Sequence, residues 1–244
     1  MHTEKIDFKT RKDIILGITV ERYTKTVTPV SSAYISKIFP AEISSATIRN
    51  VLAELEEEGY LMHPHTSAGR MPTEKGYRYY VDHLMHEIQL LEEEKLRIKA
   101  EYERETRELE GLLKKTSQVL SEVTHYTSLV SLDGEGDKLF CRGTNLVVHY
   151  SEQDLQKIEK ILQELEEKER LMEIINQNLR KRIDVYIGHE IACDSMDSCS
   201  LVVSSYKTRS GNSGRIAVLG PTRMQYERVV SALNYFSRLM EELF

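Results

Sequence analysis

Long apolar stretches are missing from this sequence. No run approaches the roughly 18 to 20 consecutive apolar residues that a helix needs to span a bilayer. The first residues, MHTEKIDFKTRKD, are charged and lack the apolar core of a secretion signal. Proline and glycine are also scarce, with 5 and 12 residues among 244, which argues against a disordered chain. We therefore expect a folded cytoplasmic protein without a membrane partner.

Cysteine is equally sparse, and Cys141, Cys193 and Cys199 form no CxxC pair. An odd count without paired spacing gives no disulfide framework. The one weak metal candidate combines His189 with Cys193 and Cys199, and its spacing matches no common structural zinc site. We therefore expect free thiols, no metal and no cofactor.

An excess of positive charge is lacking as well, since 33 Lys and Arg stand against 39 Asp and Glu. This balance argues against nucleic-acid binding over the whole surface, but it leaves room for a local basic face. Catalytic motifs are missing too: there is no GxSxG sequence, and the SGNSGR turn lacks the GK[ST] end of a P-loop. We do not expect an enzyme.

The first 86 residues contain the pattern of a winged helix-turn-helix domain. Apolar spacing and capping residues predict helices over residues 10–25, 31–39 and 44–58. Residues 60–62 suit a short strand, and the Gly- and Pro-containing stretch up to Pro72 leads back as a hairpin. Three helices followed by a small hairpin are typical of this class of DNA-binding domain, which we place at residues 1–86.

The third predicted helix separates its charges along its length. Its start carries Arg49 and Asn50 without an acid, whereas Glu54 and residues 56–58, all Glu, crowd its end. A recognition helix inserts its N-terminal half into the major groove, where Arg pairs with guanine and Asn with adenine. The Ser and Thr hydroxyl groups at the start of this helix, and the polar side chains of the wing, are suited to hydrogen bonds with DNA phosphates. The predicted DNA-binding residues are Ser45, Thr47, Arg49, Asn50, His65, Thr66, Ser67, Arg70, Lys75 and Arg78.

Ordinary structural roles stay open for several of these residues. Arg49 and Asn50 also suit a plain helix surface, and Arg70 also suits an ion pair with Glu74. His65 is of a type common in surface loops. Gly69, four positions further along, is predicted to be a flexible residue of the wing.

A heptad-like pattern runs from Tyr77 to Val123. Eleven of its fourteen seam positions are apolar, and no proline interrupts it. With Thr73 as N-cap, this pattern predicts one long helix, whose segment 87–125 connects the two domains. The seam either packs on its own chain or pairs with a second copy as a coiled coil. We expect a homodimer.

Beyond residue 125 the pattern changes to short strands and helices. Strands are predicted over residues 126–132, 145–150, 183–188, 200–206 and 214–220. Helices are predicted over 152–182 and from Pro221 to the C-terminus. The overall fold class is therefore α+β, with a C-terminal domain at 126–244 whose helices cover one side of a sheet.

At this point the sequence resembles a known family. The run SSATIRNVLAELEEEGYLMHPHTSAGRMPTEKGYRYYVDHLM is similar to the DNA-binding domain of HrcA, the bacterial heat-inducible transcription repressor family. The segments CSLVVSSY and VLGPTRMQYERVV resemble its C-terminal region, a GAF-like α+β domain. Typical members carry a longer central segment, which includes an inserted dimerisation domain. In this sequence only the residues from Leu132 to Asn145 stand where family members carry that segment.

The resemblance implies a repressor that binds an inverted-repeat operator upstream of chaperone operons as a dimer. It also implies a partner, the GroE chaperonin, which keeps the repressor in its folded form. Two other functions stay open. One is a winged-helix regulator whose shortened C-terminal domain senses a small molecule or a metal. The other is an interaction protein whose winged helix binds protein.

Overall fold

The computed structural model describes residues 8–64, 69–86, 88, 90–103, 109–134, 138–149, 154–176 and 181–243. The chain divides into two compact units, Met1–His86 and Glu87–Phe244. Helices are combined with an antiparallel five-stranded sheet, which confirms the predicted α+β class.

The N-terminal unit has the element order of a winged helix-turn-helix domain. Its first three helices are α1 (Phe8–Thr26), α2 (Ser32–Ile38) and α3 (Ser45–Glu57). The wing strands β1 (Leu61–Met62) and β2 (Met71–Pro72) pair antiparallel. Helix α4 (Glu74–Tyr79) follows and continues as a π-helical turn over Tyr80–Leu84.

Hydroxyl side chains fix the starts of three of these helices. Ser31, Ser44 and Thr73 each accept a hydrogen bond from a backbone N–H in the first turn of α2, α3 and α4. Such caps satisfy donors that have no partner inside the helix. At the other end of α3, Gly59 has a φ of +78°, which suits the left-handed residue after a helix. The bounds of α3 are therefore set by local sequence.

The base of the wing is tied to the turn between α1 and α2. Val30 and Arg70 exchange two backbone hydrogen bonds, with N···O distances of 2.8 and 2.9 Å. A Cβ at Gly69 would lie 2.5 Å from the Val30 backbone. Gly69 was predicted to be flexible, and the structure corrects this: its missing side chain permits a close backbone contact.

A second close approach holds α4 against the start of the wing. A Cβ at Gly76 would lie 2.2 Å from the carbonyl oxygen of Tyr60. The hydroxyl of Thr73 donates to the Gly59 carbonyl at 2.7 Å. The Tyr79 hydroxyl donates to Asp13 on α1 at 2.9 Å, and burial followed by this bond raises the pKa of Tyr79. These contacts join α1, the wing and α4 into one packed unit.

The predicted continuous helix from Thr73 to Val123 is wrong. Its first part ends at Leu84, because Met85 has an extended backbone with φ −64° and ψ 128°. Two separate helices follow, α5 (Glu92–Glu103) and α6 (Leu109–Thr124).

The seam residues of α5 and α6 are buried inside the C-terminal unit. Ile98, Leu112 and Val119 are each less than 5% exposed. The hydroxyl of Tyr102 on α5 lies 2.5 Å from Thr116 Oγ1 on α6, so the two helices contact each other. Heptad spacing marks an apolar face without identifying what covers it. For these residues the cover comes from the same chain. The dimer coiled coil over 87–125 stays a prediction.

A five-stranded antiparallel sheet of order β4-β3-β7-β6-β5 forms the centre of the C-terminal unit. Its strands are β3 (Thr127–Leu132), β4 (Lys138–Arg142), β5 (Ile183–Ile187), β6 (Cys199–Lys207) and β7 (Ser213–Pro221). The described α-helices after α6 are α7 (Leu155–Glu166), α8 (Lys168–Ile175) and α9 (Tyr226–Leu243). Leu132 pairs with Lys138, so β3 and β4 form a hairpin where family members were expected to carry a longer segment.

Helices cover both faces of this sheet, whereas one covered face was predicted. Leu201 of β6 joins an apolar core with Ile161 of α7 and Ile175 of α8. The next residue back, Ser200, bonds on the other face, where its Oγ lies 2.8 Å from the Tyr226 hydroxyl of α9. Strands buried on both faces need a helical cover on each side.

Hydrogen-bonded hydroxyl groups form a layer between the sheet and helices α6 and α9. Ser204 Oγ of β6 lies 2.7 Å from Ser237 Oγ of α9. Ser128 Oγ of β3 donates to the carbonyl oxygen of Ser117 on α6. All four residues are buried. Their small side chains let helix and sheet approach closely, and these bonds offset the cost of burying polar atoms.

Two further predictions for this unit are wrong. Residues 145–150 were predicted as a strand, but Thr144–His149 is a 3₁₀ helix in which Val147 is the buried residue. The predicted helix over 152–182 breaks at Glu167, with φ −86° and ψ 89°, which separates α7 from α8. Apolar β-branched residues favour strands only where the surroundings offer a strand partner.

Replacing Gly76 with Ala should destabilise the protein by about 1–3 kcal/mol, because the new methyl group would collide with the Tyr60 carbonyl. Gly17→Ala is the matched control, since an added Cβ there meets nothing within 4 Å inside α1. Helix propensity should make this control more stable by about 0.5–1 kcal/mol. Urea unfolding followed by circular dichroism measures both, and shifts of the same sign would contradict the expectation.

Candidate nucleic-acid interface

The orientation of α3 follows from its apolar stripe. Ile48, Val51, Leu52 and Leu55 are buried in the N-terminal unit. Positions three and four residues apart share a face of a helix, so the opposite face must turn to solvent. Ala46, Arg49 and Asn50 lie on that outer face and are exposed.

The start of α3 is held by a small cluster of hydroxyl groups. Ser44 Oγ accepts from the Thr47 N–H at 3.0 Å and lies 2.8 Å from Thr47 Oγ1. Ser45 Oγ lies 3.0 Å from Ser32 Oγ on α2, which links the two helices of the helix-turn-helix. The first turn of α3 contains no acid. The positive end of the helix dipole therefore faces solvent without a nearby acid in its own turn.

Arg49 and Asn50 are the most available of the predicted site residues. Both are exposed, and neither forms a hydrogen bond or an ion pair with any residue that the structure describes. Ser45, Thr47, Arg49 and Asn50 thus occupy one end of one helix, as predicted from the sequence. Side chains without partners inside the protein are the ones that can pair with base edges.

Three of the four acids at the other end of α3 pair with basic residues of the same unit. Lys12 Nζ on α1 lies 3.1 Å from Glu54 and 2.5 Å from Glu58. The hydrogen bond to Glu58 is the main reason why the pKa of Lys12 is raised. Glu56 faces the wing, where its Oε2 lies 2.8 Å from Arg70 Nε. The alternative pairing of Arg70 with Glu74 is replaced by this contact.

Lys75 lies at the same end of α3. Its Nζ donates to the Glu58 carbonyl at 2.7 Å and lies 4.4 Å from the Tyr60 ring centroid. Arg78 forms an ion pair with Asp82 at 3.2 Å. Nine residues separate Arg49 from Glu58, which is about 13 Å along a helix. The predicted residues therefore divide into an N-terminal group on α3 and a group around its C-terminal end.

Three predicted wing residues, His65, Thr66 and Ser67, lie outside the described residues.

Three contacts in this unit had no signal in the sequence. Glu56 contacts both His63 and Arg70, yet it stands in a run of glutamates that looks uniform. Arg22 on α1 lies over the Tyr34 ring of α2, 4.7 Å from its centroid. Each contact joins residues of different elements, so the spacing rules for a single helix do not reveal it.

No group of metal-ligating side chains occurs among the described residues. Cys193 and Cys199 are both buried in the core of the C-terminal unit. Burial raises the pKa of Cys199 to about 12 and that of the half-buried Cys141 to about 11. Thiols with such pKa values are poor ligands and poor nucleophiles, because the thiolate is the reactive form.

Among the residues that the structure describes, no helix is long and apolar enough to cross a membrane.

A family model and the named relatives of this chain point to the same family. Residues 131–230 match the family described as HrcA protein C terminal domain. The heat-inducible transcription repressor HrcA of Carboxydothermus hydrogenoformans is 30% identical over 96% of this chain and 97% of its own. The protein of the same name from Desulforudis audaxviator is 28% identical over 96% of this chain and 98% of its own.

The alignments also show that this chain is short. The alignment with the Carboxydothermus hydrogenoformans protein runs over 333 residues, whereas 96% of 244 residues is about 234. Roughly a hundred positions of that relative therefore have no counterpart in this chain, in agreement with the predicted shortening. A solved structure described as a hypothetical protein covers 98% of this chain and 99% of its own, with a TM-score of 0.74 and 19% identity. This likeness concerns the fold alone.

The fold and the named relatives define a class, that of transcription repressors with a winged-helix domain, which is a non-enzymatic role. Within that class, the chain belongs to the HrcA family.

Thiol labelling tests the inert character of the buried cysteines. At pH 8 the raised pKa keeps the Cys199 side chain almost entirely in its protonated, unreactive form. We expect iodoacetamide to modify Cys199 at least about a hundredfold more slowly in the native protein than in urea, because burial and a high pKa act together. Mass spectrometry of digests measures each site, and equal rates in both states would contradict the assignment.

Proposed function

We propose that this protein represses transcription in the cytoplasm by binding an inverted-repeat operator in double-stranded DNA as a homodimer. The observation that carries this proposal is the exposed, acid-free start of α3 in a winged helix-turn-helix unit. Arg49 and Asn50 stand there side by side with no partner among the described residues. One recognition helix reads only a few base pairs, so a two-fold dimer that reads two half-sites is the natural arrangement.

Each residue of the interface has a role that follows from its chemistry. Arg49 pairs with guanine and Asn50 with adenine in the major groove. Ser45 and Thr47 contact phosphate at the positive end of the helix. The wing adds phosphate or minor-groove contacts through His65, Thr66, Ser67 and Arg70, and α4 adds phosphate contacts through Lys75 and Arg78.

The controlled genes are proposed to be chaperone operons, with the GroE chaperonin as a partner that keeps the repressor folded. The support is the name of the relatives, heat-inducible transcription repressors. A repressor whose folded fraction falls on heating releases its operator by mass action. Sensing of a small molecule or metal by the C-terminal unit stays an alternative prediction. A ligand that raises the unfolding midpoint in thermal-shift screening would favour that alternative.

Genome-wide DNA pull-down before and after heat shock tests the proposal directly. The recovered fragments should share an inverted repeat whose half-sites lie one helical turn or a multiple apart. Their recovery should fall after heat shock, and chaperone operons should be among the enriched sites. The absence of any enriched motif would overturn the proposal.

Replacing Arg49 with Ala should weaken binding to the recovered operator by about 5- to 150-fold at physiological salt, because one bidentate contact to a base is worth about 1–3 kcal/mol. The exposed Arg209 in the β6–β7 turn is the charge-matched control. Arg209→Ala removes the same charge far along the chain from α3 and should leave affinity unchanged within about twofold. Fluorescence anisotropy with labelled operator measures both, and equal losses would contradict the assignment of α3 as the recognition helix.

A further inference from the structure

One carboxylate reaches both ends of the wing loop. Glu56 lies near the C-terminal end of α3, and its Oε2 is 2.8 Å from Arg70 Nε. Its other oxygen, Oε1, contacts Nδ1 of His63. His63 is the first residue after β1 and Arg70 is the last residue before β2. Glu56 therefore bridges the recognition helix to the two residues between which the wing projects.

The two ends of the loop are anchored differently. Arg70 is held twice, by the Glu56 carboxylate and by its two backbone hydrogen bonds to Val30. Gly69 packs against the same backbone, so this end is fixed even without its side-chain contact. At His63 the connection to α3 is made by the Glu56 side chain. Loss of the carboxylate would therefore act most strongly on the entry to the wing.

The bridge between Glu56 and Arg70 is partly buried, and Arg70 Nε contacts Glu56 as an ion pair without the geometry of a hydrogen bond. The Glu56 side chain is 25% exposed and that of Arg70 is 22% exposed. Partly buried charges are screened less by salt than fully exposed ones. The neighbouring acids Glu54 and Glu58 face Lys12 on α1, so they do not serve the wing.

We propose that Glu56 is a positioning residue for DNA binding, which holds the wing at a fixed angle to the recognition helix. This inference rests on the function proposed above. Glu56 itself contacts no DNA, since a carboxylate beside phosphates is repelled. Its effect is to keep wing and helix arranged for the same stretch of duplex. When the competent arrangement is only partly populated, apparent affinity falls by that fraction.

The variant Glu56→Gln tests the inference, with Glu57→Gln as matched control. Glu57 is the adjacent residue of α3, is exposed, and forms no hydrogen bond or ion pair with any described residue. Both variants remove one negative charge at the same end of the helix, so any general gain in electrostatic attraction is common to both. We expect Glu56→Gln to bind the recovered operator about fivefold or more weakly than Glu57→Gln.

The salt dependence of binding separates a wing effect from a general loss of structure. If the wing no longer reaches its phosphates, the slope of log Kd against log salt should become smaller by about one for each lost contact. The preference for operator over a duplex altered at the base pairs read by α3 should stay unchanged. A partly unfolded domain would lose this preference as well.

Limited trypsin digestion gives a second measurement that needs no DNA. Cleavage between Arg70 and Met71 requires the wing strand to leave its pairing with β1. Cleavage there should be faster in Glu56→Gln than in Glu57→Gln, while circular dichroism and the unfolding midpoint of the two variants stay alike. Mass spectrometry identifies the cut.

The outcomes are distinct. If Glu56→Gln and Glu57→Gln bind alike and are cut alike while Arg49→Ala loses the operator, the positioning role is overturned and the proposed function stands. If the unaltered protein retains no specific DNA, the proposed function is overturned and the inference with it. Weaker binding with a smaller salt slope and faster cleavage, confined to Glu56→Gln, supports the inference.

Discussion

The burial of one apolar stripe on α3 fixes most of what the N-terminal unit presents to solvent. Ile48, Val51, Leu52 and Leu55 must face the core, which sets the rotation of the helix about its axis. Arg49 and Asn50 then point outward because, at about 100° per residue, they lie roughly 110° and 150° around the helix from the middle of the stripe. The chemistry of the interface is therefore a consequence of packing, and the exposed residues need no further device to hold them outward.

The acids of α3 lie at the end of the helix that is away from Arg49 and Asn50. Three of the four acids near its C-terminal end turn towards α1 and the wing, where Lys12 pairs with Glu54 and Glu58, and Arg70 with Glu56. These acids would repel DNA if they stood at the start of the helix. A domain with balanced total charge can thus offer a locally favourable surface to phosphate, because the acids of α3 lie at the end away from its exposed start and most of them pair with basic residues.

The fold of the N-terminal unit could be predicted largely from local signals. The caps Ser44 and Thr73 and the left-handed Gly59 lie where short-range rules place them. The contacts of Glu56 could not be predicted, because they join α3 to wing residues whose approach depends on the packed unit. The assignment of Arg49 and Asn50 to DNA stays a prediction that their exposure supports.

The C-terminal unit shows where pattern reasoning fails. The heptad seam from Tyr77 to Val123 is real as a set of apolar positions, but in α5 and α6 it is buried within the C-terminal unit, whereas Ile88 and Leu91 are exposed. Periodicity does not say whether the cover is a second copy or a neighbouring helix. Likewise Val147 and Val148 have strand propensity, yet the chain forms a 3₁₀ helix there because Lys138–Arg142 takes the place beside β3.

The hydroxyl layer between the sheet and helices α6 and α9 has a consequence for how this unit responds to temperature. Two pairs of hydroxyl groups are hydrogen-bonded across this layer, Ser204 with Ser237 and Ser200 with Tyr226. A slight separation of helix and sheet would leave several of these groups without partners while water is still excluded, which is costly. Intermediate separations are therefore unfavourable, and the layers come apart together. Such cooperativity turns gradual heating into an abrupt loss of the packed layers.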